Sequence, residues 1–397
     1  MKDDNVKQMR SNRVWLAASS CELDEFRTLV ERSASRNDYP LASDLMSSVP
    51  VYDGLKARRA AASPEARKEW MAEWVQAFTD GPGIIVIRNA FADPGAIDRS
   101  NAHYWAIIEE ERLNNVGGGD HFAKPGANDR VWNALEKLCL RDPAAFAAYY
   151  GNPVIALVSE AWLGPAYQIT SQLNVVNPGG SAQVAHRDYH LGFQSAEAIA
   201  RYPAHVHRLS PALTLQGAVA HCDMPVETGP TLYLPFSQSY LPGYMATGLP
   251  EFREYFDKHH VQLPLQKGDT AFFNPALFHA AGTNRSKGVR RIANLLQVSS
   301  AFGRAMESID RLKMSVRLYP ALKGLLADNA LTAAEADHAI AACAEGYSFP
   351  TNLDRDPPKG GIAPKTQQDL MRQALKENWD PEVFVNEAEA QGWRKLT

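Results

Sequence analysis

The sequence predicts a mainly β core of sandwich or barrel type, with helical segments before, inside and after it. Three observations carry that expectation. Between residues 166 and 305 apolar and polar residues alternate in short runs, the period of a half-buried strand. Turn chemistry such as Gly229-Pro230 and Lys267-Gly268-Asp269 separates those runs, rather than helices, which argues against a doubly wound parallel sheet. On both sides of this region the period changes to helical spacing. The 397 residues are read as a single domain in three parts. These are a mostly helical 1–165, a core at 166–305 and a helical extension at 306–397.

In chain order, the first 60 residues look irregular, with one short helix at 22–33. Ser63-Pro64-Glu65 opens a helix with a serine cap, proline in the first turn and an acidic neighbour. Trp70, Met71, Trp74, Val75 and Phe78 give it an apolar face, and Gly81-Pro82-Gly83 stops it. Residues 84–87 are Ile-Ile-Val-Ile, a short strand buried on both faces. A helix capped by Asp93-Pro94 runs to about 112. The glycine-rich stretch Asn114 to Asp120 then breaks the pattern, with His121, Phe122 and Lys124 beside it. Helices are expected at 131–140 and 143–163, the second interrupted at Gly151-Asn152-Pro153.

Strands are expected at 167–176, 213–220, 231–235, 261–265, 270–273 and 290–299, with inserted helices at 195–202 and 250–257. In the first of these, Thr170, Gln172 and Asn174 share one face. Helices return at 306–326, 332–345 and 367–378. That tail packs on the core or forms a homodimer contact.

Composition narrows the function classes. Hydrophobic content of 45% and charged content of 22% are those of a globular chain with a substantial core. Net charge is −4 (41 basic against 45 acidic residues) without a basic block, so neither nucleic acid nor a membrane surface is an expected partner. No apolar run is long enough to span a bilayer, and the polar first 13 residues lack the apolar stretch of a signal peptide. Four scattered cysteines without a C-x-x-C pair suggest reduced thiols in a cytoplasm.

The chemistry lies in Val184-Ala185-His186-Arg187-Asp188-Tyr189-His190. On an extended chain His186 and Asp188 point to one face, two-thirds of a 2-His-1-carboxylate iron site. With 11 histidines about one such triplet arises by chance, and His221-Cys222-Asp223 is a second. Context must therefore decide. His279 follows an apolar run, Gly282, Asn284 and Ser286 follow it, and Arg290 stands eleven residues after it.

This combination resembles the phytanoyl-CoA dioxygenase (PhyH) family of Fe(II)- and 2-oxoglutarate-dependent oxygenases, over about residues 80 to 305. The resemblance implies a double-stranded β-helix, a jelly roll with iron inside one end. It implies His186, Asp188 and His279 as the iron ligands, with positions left for 2-oxoglutarate and O2. It implies Arg290 as the guanidinium holding the far carboxylate of 2-oxoglutarate. Arg291 faces the other way on the same strand, so only one of the two reaches inward. The family's order leaves His221 a core or pocket histidine, since Glu227-Thr228-Gly229-Pro230 follows it. Two departures stand out: Phe236-Ser237-Gln238 where the family often has Gly-Ser-His, and Ala281 where it often has a hydroxyl. Gln172, Asn174 and Thr283 are candidates to supply the lost hydrogen bond.

Tyr189 and Phe193 flank the metal turn and, with Phe122 and Gln183, are the candidate substrate contacts. The expected reaction is oxidation of an unactivated C–H bond of a small organic metabolite, with succinate and CO2 released. A retained aspartate argues against halogenation, in which relatives vacate that position. Two other readings stay open: a cupin-type metal oxygenase or isomerase without 2-oxoglutarate, and a non-catalytic jelly-roll binding protein.

Overall fold

A computed structural model of the protein describes residues 13–114, 126–181 and 183–397. Eleven strands are formed among them: β1 (Asp44–Met46), β2 (Val49–Asp53), β3 (Ile84–Arg88), β4 (Asn128–Val131), β5 (Gln168–Val176), β6 (Thr214–Ala220), β7 (Leu232–Leu234), β8 (Val261–Gln262), β9 (Thr270–Phe273), β10 (Phe278–Ala280) and β11 (Arg291–Ser299). The chain divides into two compact units, each assembled from three stretches. The first comprises Met1–Ala90, Gly119–Asp129 and Asn174–Ala293; the second comprises Phe91–Gly118, Arg130–Leu173 and Asn294–Thr397.

In the first unit a mixed sheet runs in the order β1-β2-β3-β9-β6. The β2–β3 pairing is parallel and β3–β9 and β6–β9 are antiparallel. The β1–β2 hairpin falls in a region expected to be irregular. Its two-residue turn uses Ser47 and Ser48 at φ 50° and 68°, a conformation usually signalled by Asn-Gly. The helix Pro64–Thr79 starts as expected, Ser63 Oγ accepting from the Ala66 N–H at 3.4 Å. Its Trp70 and Trp74 pack on Tyr52 of β2 at ring distances of 5.6 and 5.8 Å. A smaller sheet, β10-β7-β8, belongs to the same unit. Side chains of the two sheets meet where Tyr233 of β7 contacts Phe273 of β9, with ring centroids 5.2 Å apart.

The second unit is largely helical. Its helices include Gly95–Leu113, Pro143–Tyr150, Pro153–Leu163, Arg311–Ala327 and Ala333–Cys343, followed by Gln367–Lys376 and Pro381–Lys395. Phe146, Tyr149 and Tyr150 lie in its core, and Asn294 Nδ2 donates to both tyrosine hydroxyls at 3.1 Å.

The expectation of a mainly β core with helices around it needs correction in its balance, because helix accounts for 47% of the described residues. Strands were numerous in the sequence but are short, four of the eleven having three residues or fewer. The helix expected at 131–140 also starts later. Residues 128–131 are strand, and Asn133 in the left-handed conformation (φ 51°) separates them from the helix Ala134–Arg141. No helix among the described residues is long and apolar enough to cross a membrane.

Candidate metal centre

His186 and His279 are opposed in an antiparallel bridge. The His186 N–H donates to the His279 carbonyl at 3.0 Å, and the His279 N–H donates back at 3.2 Å. Residues paired in this way project their side chains to one face, and the two imidazole centroids are 4.5 Å apart. Asp188 lies two residues on, its own N–H held by the Pro275 carbonyl at 3.1 Å. Its Oδ1 is 3.6 Å from His186 Nε2 and its Oδ2 is 3.4 Å from His279 Nε2. One ligand atom from each residue falls within a 4.8 Å group.

The tautomers are set by the backbone. His186 Nδ1 pairs with the Val184 carbonyl at 2.8 Å, and His279 Nδ1 with the Leu277 carbonyl at 2.9 Å. A carbonyl only accepts, so each Nδ1 carries hydrogen and each Nε2 keeps its lone pair for the space shared with Asp188. Burial, reinforced by the neighbouring His279, lowers the pKa of His186 and favours the neutral ligand form. For Asp188 burial alone would favour the acid. With the imidazoles protonated, a hydrogen bond from His279 Nε2, the charge of both rings and the Gln216 donor outweigh it and keep the carboxylate ionised well below its usual range; with the imidazoles neutral, the Gln216 donor remains. Two neutral imidazoles and one carboxylate fit a divalent transition metal of the iron type.

The motif after His279 has a structural role. Asn284 is fully buried; its Nδ2 donates to the Val176 and Val289 carbonyls at 2.9 and 2.8 Å, while its Oδ1 accepts from the Ser286 N–H and hydroxyl. Its backbone exchanges hydrogen bonds with Gly179 and Gly180. The turn following β10 is thereby tied to the turn preceding His186, which fixes one ligand strand against the other. Gly229 (φ 73°) and Gly282 make the close approach of the neighbouring turn possible: a Cβ on Gly229 would lie 2.4 Å from the Thr283 carbonyl oxygen.

The arginines reverse the sequence expectation. Arg290 is not the inward one: its side chain is 45% exposed, and it donates to Asn177 Oδ1 at 3.1 Å and Asp129 Oδ2 at 3.2 Å. Arg291 begins β11 and points inward, 6% exposed, with its Nη1 finding no acceptor among the described residues. Burial lowers its pKa to about 10, with Cys222 and Tyr233 the nearby groups opposing that effect. Tyr233 is the cross-strand partner of His279, so Arg291 lies on the side of the fold that carries the ligands.

Other candidates scatter. Tyr189 is buried at φ 61°, in the sharp turn that follows Asp188, whereas Phe193 is 52% exposed. Gln183 braces the chain opposite: its N–H donates to the Ala281 carbonyl and its Oε1 accepts from the Ala281 N–H. Asn174 is buried with Oδ1 lacking a donor among the described residues, and Thr283 is half-buried. Gln172 belongs to the second unit, where Arg130 Nη1 donates to it at 3.4 Å. Phe122, with His121 and Lys124, lies outside the described residues. His221 is a core histidine, buried and with its pKa pulled down to about 3 by that burial, and it joins no metal-ligand group among the described residues. His190 pairs with the Ser210 hydroxyl at 3.0 Å. Sequence reasoning missed Gln216 of β6, whose Nε2 donates to Asp188 Oδ2. Its signal was a lone amide in an otherwise apolar run, Leu215 to Ala220.

Against known proteins, the model of the phytanoyl-CoA dioxygenase (PhyH) family matches residues 66–292, more than half of the chain. No curated protein matches it. Among solved structures, the chain is similar to the non-heme alpha ketoglutarate dependent epimerase SnoN from nogalamycin biosynthesis. The identity is 19%, the TM-score 0.39, and 60% of this chain and 85% of that one are covered. It is similar to the carbocyclase SnoK from the same biosynthesis (19% identity, TM-score 0.41, 60% and 84% covered). AviO1 from Streptomyces viridochromogenes Tue57 gives 18% identity, a TM-score of 0.43 and coverage of 59% and 96%.

Proposed function

The chain belongs to the phytanoyl-CoA dioxygenase (PhyH) family, and from that premise we propose that it is an Fe(II)- and 2-oxoglutarate-dependent oxygenase built on a double-stranded β-helix core. The observation that carries this reading is the convergence of His186 Nε2, His279 Nε2 and the Asp188 carboxylate within one 4.8 Å group, with both Nδ1 atoms committed to backbone carbonyls. In the proposed role these three residues hold the iron on one side and leave the rest of its coordination open. Iron, 2-oxoglutarate and O2 together supply an oxidant for an unactivated C–H bond, with succinate and CO2 as co-products.

Arg291, rather than Arg290, is assigned the far carboxylate of 2-oxoglutarate. A guanidinium that is buried with an unused N–H group is costly until an anion arrives, and its fork matches a carboxylate in two hydrogen bonds. Tyr189, directly after Asp188, is proposed as a wall for the substrate, a small organic metabolite. With Asp188 in place, hydroxylation or another outcome of hydrogen abstraction is the expected reaction.

Anaerobic addition of Fe(II) and 2-oxoglutarate should give a weak visible charge-transfer band in the wild type and none in His186→Ala or Asp188→Ala. Succinate release under air should follow the same pattern, and a metabolite screen read by succinate would identify the substrate. Oxygen uptake without any need for 2-oxoglutarate would replace this reading with a cupin-type oxygenase. Absence of the band in the wild type would favour a binding protein.

A further inference from the structure

Gln216 is 4% exposed and sits on β6, where it is paired across the strands with Phe273 of β9. Paired residues share a face, and the Phe273 ring contacts the His279 ring at 4.8 Å. The amide therefore stands on the side of the sheet that meets the metal ligands. Its Nε2 donates to Asp188 Oδ2. The reverse orientation of the amide would set its oxygen against a carboxylate oxygen, two acceptors with no hydrogen between them.

The other half of the amide is unsatisfied among the described residues: Gln216 Oε1 is buried and none of them donates to it. A lone buried acceptor is destabilising, and an apolar residue of similar shape would avoid that cost. A half-satisfied glutamine in an apolar strand calls for a reason beyond packing, and its only side-chain hydrogen bond among the described residues leads to Asp188.

We infer that Gln216 is a positioning residue for the metal centre: it fixes the rotation of the Asp188 carboxylate and engages Oδ2, leaving Oδ1 as the oxygen that ligates. This rests on the metal-centre reading above. Asp188 would then hold the metal through one oxygen, which would leave room there for 2-oxoglutarate and O2. Gln216 touches neither the metal nor a substrate and acts only through Asp188.

The test is a Co(II) titration of the full chain, followed by visible absorption, for wild type, Gln216→Met and Gln216→Asn. Methionine keeps the shape and removes the donor; asparagine keeps the donor and shortens its reach by one methylene. Both should bind Co(II) 10–100-fold more weakly than wild type, the usual effect of losing a partner that orients a ligand. Their ligand-field spectra should change as Asp188 becomes free to bind through both oxygens, while the unfolding midpoint of metal-free Gln216→Met stays at or above that of wild type. If both variants bind within twofold of wild type with an unaltered spectrum, the inference is overturned. It is likewise overturned if metal-free stability falls in step with affinity, the mark of a merely structural role. If Gln216→Met does not fold, Gln216→Asn carries the same comparison. A wild type that binds no Co(II) removes the metal centre as well, an outcome distinct from either of those.

Discussion

Replacing Arg291 and Arg290 one at a time should have opposite consequences for 2-oxoglutarate. Arg291 is 6% exposed with an unused Nη1, whereas Arg290 is 45% exposed at the side chain and already engaged with Asp129 and Asn177. Each charge-assisted hydrogen bond is worth about 1.5–3 kcal/mol, so losing the two that a guanidinium fork gives a carboxylate removes roughly 3–6 kcal/mol. At about 1.4 kcal/mol per tenfold, Arg291→Met should weaken 2-oxoglutarate binding by at least about 100-fold. Without the cosubstrate the sign differs. Among the described residues Cys222 and Tyr233, not a carboxylate, are the groups that balance buried Arg291, so methionine there should leave the unfolding midpoint of the unliganded protein unchanged or raised. Arg290→Met takes a partner from the largely buried Asp129 carboxylate, which should cost about 1–3 kcal/mol of stability, and should shift 2-oxoglutarate binding by less than about threefold. The assay is titration of 2-oxoglutarate into anaerobic Fe(II)-loaded protein, read by the visible charge-transfer band. A large effect at Arg290 with little at Arg291 would refute the assignment and restore the one drawn from spacing.

Asn284→Ala removes two donors from the Val176 and Val289 carbonyls and the acceptor of Ser286. The cost should be roughly 2–4 kcal/mol, seen as an unfolding midpoint lower by roughly 2–5 °C for a chain of this length. Metal affinity should weaken as well, because this turn fixes His279 against His186. His221 makes the fold acid-sensitive. Its pKa is about 3 in the folded protein against about 6.5 unfolded, so the unfolded state takes up the proton first as pH falls. Stability contributed by keeping this imidazole neutral is intact above about pH 6.5, declines by up to roughly 1.4 kcal/mol per unit below it, and levels off near pH 3. His221→Phe should flatten that part of a pH–stability curve measured by denaturant titration, and an unaltered slope would assign the acid sensitivity to other groups. Co(II) at about 100 times its Kd should stabilise the wild type by roughly 2.7 kcal/mol, an increment that His279→Ala should abolish in a thermal melt.

Much of the local structure was legible because it is local. Ser63 and Pro64 announce a helix start through the first-turn N–H groups they satisfy or lack, and Thr270–Phe273 is strand in both readings. His186 and Asp188 share a face because two residues of extended chain return the side chain to the same side. Their meeting with His279 was reached through a family's spacing, and the bridge between His186 and His279 is its physical form. The sequence overstated the β content since it counted strands, and a count does not reveal that β8 is two residues long.

What the tertiary structure alone decided is where faces point and who answers whom. Alternation requires Arg290 and Arg291 to face oppositely, yet which of them is inside depends on where β11 begins, and a shift of one residue exchanges the two. Pairing starts at Arg291, which turns Arg290 outward to Asp129, 161 positions earlier in the chain. The amide of Gln216 stands 28 positions from Asp188 and on a different strand. The residue types that make the centre are fixed by the chain itself, but contacts such as these have no sequence period to announce them, because they arise only when separate strands are stacked.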